Sequence, residues 1–216
     1  MCNLDILWKS FLVLILYLLL SGCQSFLSPK KSIPKLNTSQ QLLTEITNWN
    51  LQGKIGVQAP EKFLSVLLSW QQIDSHYSIQ LFSPLGQTLA DIEGTGINEP
   101  SGAVTVRTHD HKTYQGHTPE ALIKQYAGLT VPISHLFYWI RGLPAPNHQN
   151  FLQKLFSPTQ FNYNERGYLT ELRQDGWQLH FLEYSSYGDI QLPRKLLIER
   201  GHLKMTLLLK SWQLPS

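Results

Sequence analysis

The sequence predicts a mainly β (α+β) domain, an antiparallel sheet with short α-helices on one concave face. Three observations predict it. Apolar and polar residues alternate along much of the chain after residue 50, the period of a half-buried strand. Short Asp- or Gly-containing turns join successive runs, and strands joined by hairpins are antiparallel. Helical spacing is confined to two places, before residue 50 and between residues 118 and 142.

Residues 1–22 read as a signal peptide. Lys9 and the amino terminus supply positive charge, which Asp5 partly offsets. The apolar run Phe11–Leu20 is shorter than the roughly 20 residues a membrane-spanning helix needs, and it has the length of a signal core. It ends in Leu20-Ser21-Gly22-Cys23, which resembles the lipobox of bacterial lipoproteins. Ser21 and Gly22 let a peptidase approach the backbone, and Cys23 offers a thiol for a lipid anchor. The competing reading is a membrane-anchor helix with an incidental cysteine. Cys2 and Cys23 are the chain's only cysteines, so the mature domain would have no disulfide and depend on its core. Removing 22 of the 216 residues leaves 194, enough for one core of ordinary size. The net charge of +3 is mild and lacks the clustering of a nucleic-acid binder. Residues 23–37, with Pro29, Lys30, Lys31, Pro34 and Lys35, read as a flexible tether. Residues 38–216 then form the binding domain.

Within that domain the spacing predicts a helix over Thr38–Trp49, capped by Thr38 or Ser39, with Leu42, Leu43, Ile46 and Trp49 on one face. Leu51–Gln58 and Phe63–Gln71 alternate as strands, and Ile73-Asp74-Ser75 turns into a third through Tyr77, Ile79 and Leu81. Gln87–Glu93 and Ala103–Thr108 read as further strands. Thr118-Pro119-Glu120 starts a helix that Gly128 stops. A second short helix is expected from Ser134 to Arg141, closed by Gly142 and followed by the breakers Pro144 and Pro146. Tyr168–Leu172 and Trp177–Tyr184 flank the hairpin turn Gln174-Asp175-Gly176. Leu192–Glu199 and Leu203–Trp212 flank Arg200-Gly201-His202.

A curved sheet capped by helices can enclose a cavity. Its expected lining is Val57, Leu68, Trp70, Ile79, Leu81, Trp177, Leu179, Phe181, Leu196, Ile198, Met205 and Leu207, with Leu136, Trp139 and Ile140 from the lid. Such a surface suits hydrocarbon, at about 0.8 kcal/mol per buried CH₂. The same residues would equally pack one another as a closed core, and the residues alone leave both readings open. Ser83-Pro84-Leu85-Gly86 places an apolar side chain at the tip of a turn, where polar residues are usual. Pro84 and Gly86 shape the turn, and Leu85 becomes a candidate for dipping into a bilayer. Catalysis has little support: the chain has no Gly-x-Ser-x-Gly, no His-Glu-x-x-His, no phosphate-binding glycine loop and no Cys pair in the domain. His109, His111 and His117 are the best metal candidates, yet no ligand set follows at telling spacing, so no metal and no cofactor is expected.

Several short segments, taken in order, resemble the outer-membrane lipoprotein receptor family, LolB. They are Trp49-x-Leu51-x-Gly53-Lys54-Ile55-Gly56, Trp70-Gln71-Gln72, Pro84-Leu85-Gly86, Val131-Pro132 through Leu136, Trp139-Ile140-Arg141-Gly142-Leu143-Pro144, Gly176-Trp177, Leu192-Pro193 and Trp212. Lys54 stands where Arg is frequent, and the stretch His109–His117 matches no role in that family. The resemblance implies an incomplete antiparallel β-barrel with a helical lid over a hydrophobic cavity. It implies a cavity for the acyl chains of other lipoproteins, delivered by a periplasmic lipoprotein carrier (LolA) and inserted into outer-membrane phospholipid. Leu85 matches the protruding loop leucine to which insertion is assigned. Gln24, in place of the Asp that tends to retain a lipoprotein at the inner membrane, points to the outer membrane, with the domain facing the periplasm. No nucleic acid and a monomeric state are expected. The alternative reading is a lipid- or peptide-binding surface lipoprotein with a different ligand.

Overall fold

The computed structural model describes residues 38–97, 102–146 and 159–214. The predicted signal peptide, Cys23 and the tether lie outside them, as do the side chains of the predicted caps Thr38 and Ser39. The elements run α1 (Thr38–Glu45), β1 (Asn48–Ala59), β2 (Lys62–Ile73), β3 (His76–Phe82), β4 (Thr88–Thr95), β5 (Ala103–Thr108), β6 (Thr113–Gly116), α2 (Pro119–Ala127), α3 (Ile133–Trp139), β7 (Gln160–Tyr163), β8 (Leu169–Gln174), β9 (Trp177–Tyr187), β10 (Ile190–Arg200) and β11 (Leu203–Gln213). Among the described residues, no helix is long and apolar enough to cross a membrane.

All the strands join one antiparallel sheet of 11 strands in the order β6-β5-β4-β3-β2-β1-β11-β10-β9-β8-β7. It is two meanders fused where the first strand pairs with the last. The outer strands β6 and β7 do not pair with each other, so the curved sheet is an unclosed barrel, as expected. Turn chemistry sets the hairpins. Asp175 and Gly176 both take positive φ, 51° and 78°, between β8 and β9. Gly201, at φ 58°, opens the two-residue turn between β10 and β11.

The sequence reading needs correction at the edges of elements. Helix α1 stops at Glu45, four residues short of Trp49. Trp49 is a strand residue instead, paired with Gln72 and buried on the concave side. Its helical spacing with Leu42 and Ile46 was accidental, because the alternation of β1 already begins at Asn48. The second helix is shorter and earlier, Ile133–Trp139, and Ile140 to Gly142 form a turn after it. The short strands β6 and β7 went unpredicted; each has four residues, too few to establish a period.

The concave side holds the core. At one end three indoles gather, with Trp49 to Trp70 at 5.3 Å and Trp49 to Trp212 at 5.2 Å between ring centres. Phe137 of α3 closes on them, 6.2 Å from Trp49. On the opposite, convex side the middle strands present neutral polar residues, among them Asn50, Gln52, Ser69 and Gln71.

Gly53 sits where β1 meets β11, at a bulge created by the extra residue Lys210. A Cβ at this position would lie 2.8 Å from the Leu208 carbonyl oxygen, a backbone atom that cannot swing aside. Gly53→Ala is therefore expected to cost about 1–3 kcal/mol, read as a lowered urea midpoint with an unchanged slope. A wild-type midpoint would mean that the seam tolerates a wider gap.

Tyr77 on β3 is buried, and desolvation, followed by the nearby Glu120 charge, pushes its phenol from 10.0 up to about 12. Burial raises the Tyr184 phenol as well, and its hydroxyl donates to the Leu169 carbonyl at 2.7 Å. The folded chain therefore keeps these protons where an unfolded chain would lose them. The stability they contribute is whole below pH 10 and is lost as pH rises toward 12. Denaturant titrations across that window are expected to show falling stability, with a shallower fall for Tyr77→Phe. An identical slope in the variant would remove Tyr77 from the effect.

Candidate functional site

Toward the other end of the concave face the packing does not close. It leaves an apolar cavity of about 300 Å³, at the lower end of the ligand-pocket range of about 300–1,000 Å³. Strand β1 contributes Ile55 and Val57, and β2 contributes Leu64, Val66, Leu68 and Trp70. Ile79 and Leu81 come from β3, Leu89, Ala90 and Ile92 from β4, Val106 from β5, and Met205 and Leu207 from β11. The helical side supplies Ile123, Tyr126 and Ala127 of α2, Leu129 and Val131 of the link, and Ile133, Leu136 and Ile140 at α3. His109 completes the wall. Among the described residues, the lining holds no Asp, Glu, Lys or Arg.

Nine of the residues singled out in the sequence stand in this wall: Val57, Leu68, Trp70, Ile79, Leu81, Leu136, Ile140, Met205 and Leu207. Six do not: Trp139, Trp177, Leu179, Phe181, Leu196 and Ile198 are buried in closed core instead. The reason is where the lid stands. Trp139 lies over β8 and β9, its indole N–H donating to Gln174 Oε1 at 3.0 Å and its ring 6.2 Å from Trp177. Gln174 also accepts from the Ala145 amide and donates to the Ala145 carbonyl, which holds the chain after α3 against the sheet. Among the described residues, β11 alone of the C-terminal strands contributes to this wall. The residues missed carried a usable signal. Leu64 and Val66 continue the alternation of Leu68 and Trp70, and Ala90 and Ile92 alternate on β4. The helical contribution of α2 had no such signal, since an amphipathic stripe does not say which part of a sheet it covers.

The lid is fixed by polar contacts of several kinds. Thr118 caps α2 by accepting from the Ala121 amide, and Gly128 ends it at φ 68°. Glu120 accepts from the Ser134 amide at 2.6 Å, coupling α2 to the start of α3. His135 Nε2 lies 2.8 Å from Asp175 Oδ2. Arg141 is 4% exposed and donates to the Leu43 and Ile46 carbonyls, both at 3.1 Å, and to the Phe137 carbonyl at 3.0 Å. Its guanidinium stacks 4.2 Å over the Phe137 ring. Burial lowers its pKa to about 10, so the group stays charged at neutral pH. A charge so placed ties the end of α1 to the end of α3, because it answers carbonyls that a helix leaves unpaired.

Leu85 stands apart from the cavity, at the tip of the β3–β4 turn. The Gly86 amide donates to the Ser83 carbonyl at 2.9 Å, the Ser83 amide to the Gln87 carbonyl at 2.8 Å, and Gly86 takes φ 87°. These bonds with Pro84 give a stiff turn, and they hold Leu85 98% exposed. The three histidines do not converge. His109 faces the cavity, His111 takes φ 61° in the β5–β6 turn, and His117 precedes α2. Among the described residues, no group of three His, Cys, Asp or Glu side chains is placed to hold a metal ion.

Known proteins share this sequence closely enough to place it. The family model for outer membrane lipoprotein LolB matches residues 47–212. An outer-membrane lipoprotein LolB of Pseudomonas paraeruginosa is 34% identical over 200 residues, 90% of this chain and 91% of the relative. One of Cellvibrio japonicus is 36% identical over 202 residues, with the same shares. One of Coxiella burnetii is 32% identical over 201 residues, 91% of this chain and 89% of the relative. With matches of this extent along almost the whole fold, the chain belongs to the outer-membrane lipoprotein LolB family.

Proposed function

We propose that this chain receives acylated lipoproteins from the periplasmic carrier (LolA) and inserts them into the outer membrane, without nucleotide and without covalent chemistry. The observation that supports this most is a cavity lined by apolar side chains, with no Asp, Glu, Lys or Arg among the described residues. Each methylene moved from water into such a site is stabilised by about 0.8 kcal/mol. The cavity replaces the bilayer for a cargo whose chains would otherwise face water. Transfer with no energy source requires each acceptor to bind the acyl chains more favourably than its donor. The domain is therefore assigned a higher affinity than the carrier, and the bilayer a higher one still. A lipid on Cys23, followed by the tether of residues 23–37, holds the domain at its destination, facing the periplasm. More than one acyl chain makes that anchorage stable.

Leu85 takes the insertion step in this reading. Burying one leucine contributes roughly 1.5–3 kcal/mol, enough for transient contact and too little for anchoring. The test separates uptake from release. A soluble form of residues 38–216 is mixed with carrier holding a labelled lipoprotein, without nucleotide, and vesicles are added afterwards. Wild type is expected to take the label and then yield it to the vesicles. Leu85→Glu is expected to take up label normally and to release it at least about tenfold more slowly. Release at the wild-type rate would remove the turn from the mechanism. Failure of the wild-type domain to take up label would favour the second reading, a lipid- or peptide-binding surface lipoprotein with another ligand.

A further inference from the structure

We infer that Phe63, on the β1–β2 hairpin, is a second membrane-contacting side chain, and that the cavity opens to the bilayer between it and the turn that holds Leu85. The inference rests on the insertion reading above and adds a residue and a direction to it.

Topology puts the two side chains at one end of the sheet. Strand β1 ends at Ala59 and β2 begins at Lys62, while β3 ends at Phe82 and β4 begins at Thr88. These four strands are antiparallel neighbours, so both connections fall on the same side. Burial shows that the cavity opens there. Along β2, Trp70 is 2% exposed, Leu68 5% and Leu64 43%, although all three line the cavity. Trp70 therefore marks the floor and Leu64 the mouth. The C-terminal end of α2 borders this mouth, since Lys62 Nζ lies 3.9 Å from where a Cβ on Gly128 would stand. Tyr126 of α2 lines the cavity and is also exposed.

Phe63 follows from the same alternation. Successive strand residues point to opposite faces, so Leu64 enters the mouth while Phe63 turns outward, 75% exposed. Its partner across the hairpin is Gln58, which gives an aromatic ring no apolar cover. The two-residue turn Pro60-Glu61, with Glu61 at φ 61°, fixes the hairpin tip. A large apolar ring held outward beside a hydrocarbon cavity matches the boundary of a bilayer, where Phe and Leu side chains of interfacial elements bury at the headgroup/acyl boundary.

Charge argues for lipid over an acidic partner. Two of the cations at this end are held by anions: Lys112 lies 2.6 Å from Asp110 and Lys204 2.9 Å from Glu199. Contact should therefore be apolar and insensitive to anionic lipid and to salt.

The test uses the full lipidated chain in phosphatidylethanolamine vesicles, with or without phosphatidylglycerol. An environment-sensitive fluorophore is attached in turn to Phe63→Cys, Leu85→Cys and the mid-strand control Ser69→Cys, and a lipid carrying a nitroxide near its headgroup is the quencher. Most of the emission from positions 63 and 85 is expected to be lost and that from 69 largely kept, whatever the phosphatidylglycerol content. Phe63→Glu is further expected to slow cargo release to vesicles about tenfold with uptake unchanged. Quenching at 85 alone would overturn this inference and leave the insertion reading standing. Quenching at neither position would overturn both. A probe at 63 shielded by the carrier protein and not by vesicles would reassign the ring to a protein contact.

Discussion

Pairing of the first strand with the last is the constraint on which the rest of the fold depends. Strands β1 to β6 and β7 to β11 are each simple meanders, and each alone would present an open inner edge of the kind that invites aggregation. The β1–β11 ladder, from Asn50↔Gln213 to Gln58↔Lys204, turns two meanders into one sheet wide enough to curve. Its close approach at Gly53 and its bulge at Lys210 belong to that curvature. Trp49 and Trp212 come from the two seam strands and meet on the concave side, so the ladder also assembles the aromatic floor.

The cavity follows from where that floor ends and where the lid is fastened. Protein interiors normally pack to crystal-like density, and an unfilled space forfeits dispersion contacts. Helices free to move would settle into it. Here α3 is held over β8 and β9 by Trp139 with Gln174 and by His135 with Asp175. Arg141 holds it to the end of α1. These contacts stand on the far side from β2 to β5, so the helices bridge the concave face without filling it. The polar bonds that fix the lid thus keep an apolar space open. Arg141 is well suited to this, because its planar donors satisfy several carbonyls at once while its face stacks on Phe137.

Much of this was legible in the sequence, and the limits are physical. Alternation through Leu64, Val66, Leu68 and Trp70 fixes which side chains share a face, and Asp175-Gly176 announces its hairpin. The Thr118 cap and the Gly128 stop also read directly. Trp49 misled because helical and strand periods overlap over a few residues. The six expected lining residues that lie outside this wall differ for another reason. Leu179, Leu196 and Ile198 have the burial pattern of cavity residues, and only the placement of Trp139 over β8 and β9 separates them from those that line this cavity. Alternation reports which face is apolar. It does not report whether the apolar face is covered by side chains or by a void.

That distinction bears on the direction of transfer in the proposed function. The cavity, of about 300 Å³, is open at its mouth and is not a closed chamber. In the proposed function, any part of an acyl chain that the cavity does not cover lies at the mouth, beside Leu64 and the exposed Tyr126. A bilayer has no such limit. Each methylene left over gains about 0.8 kcal/mol by moving into lipid, so a handful of them tips the balance by several kcal/mol with no nucleotide involved. Among the described residues, the lining also has no Asp, Glu, Lys or Arg to grip a headgroup. In the proposed function, selectivity then falls on the hydrocarbon that lipoproteins share, and a cavity open at its mouth serves delivery better than a deep and tightly binding one.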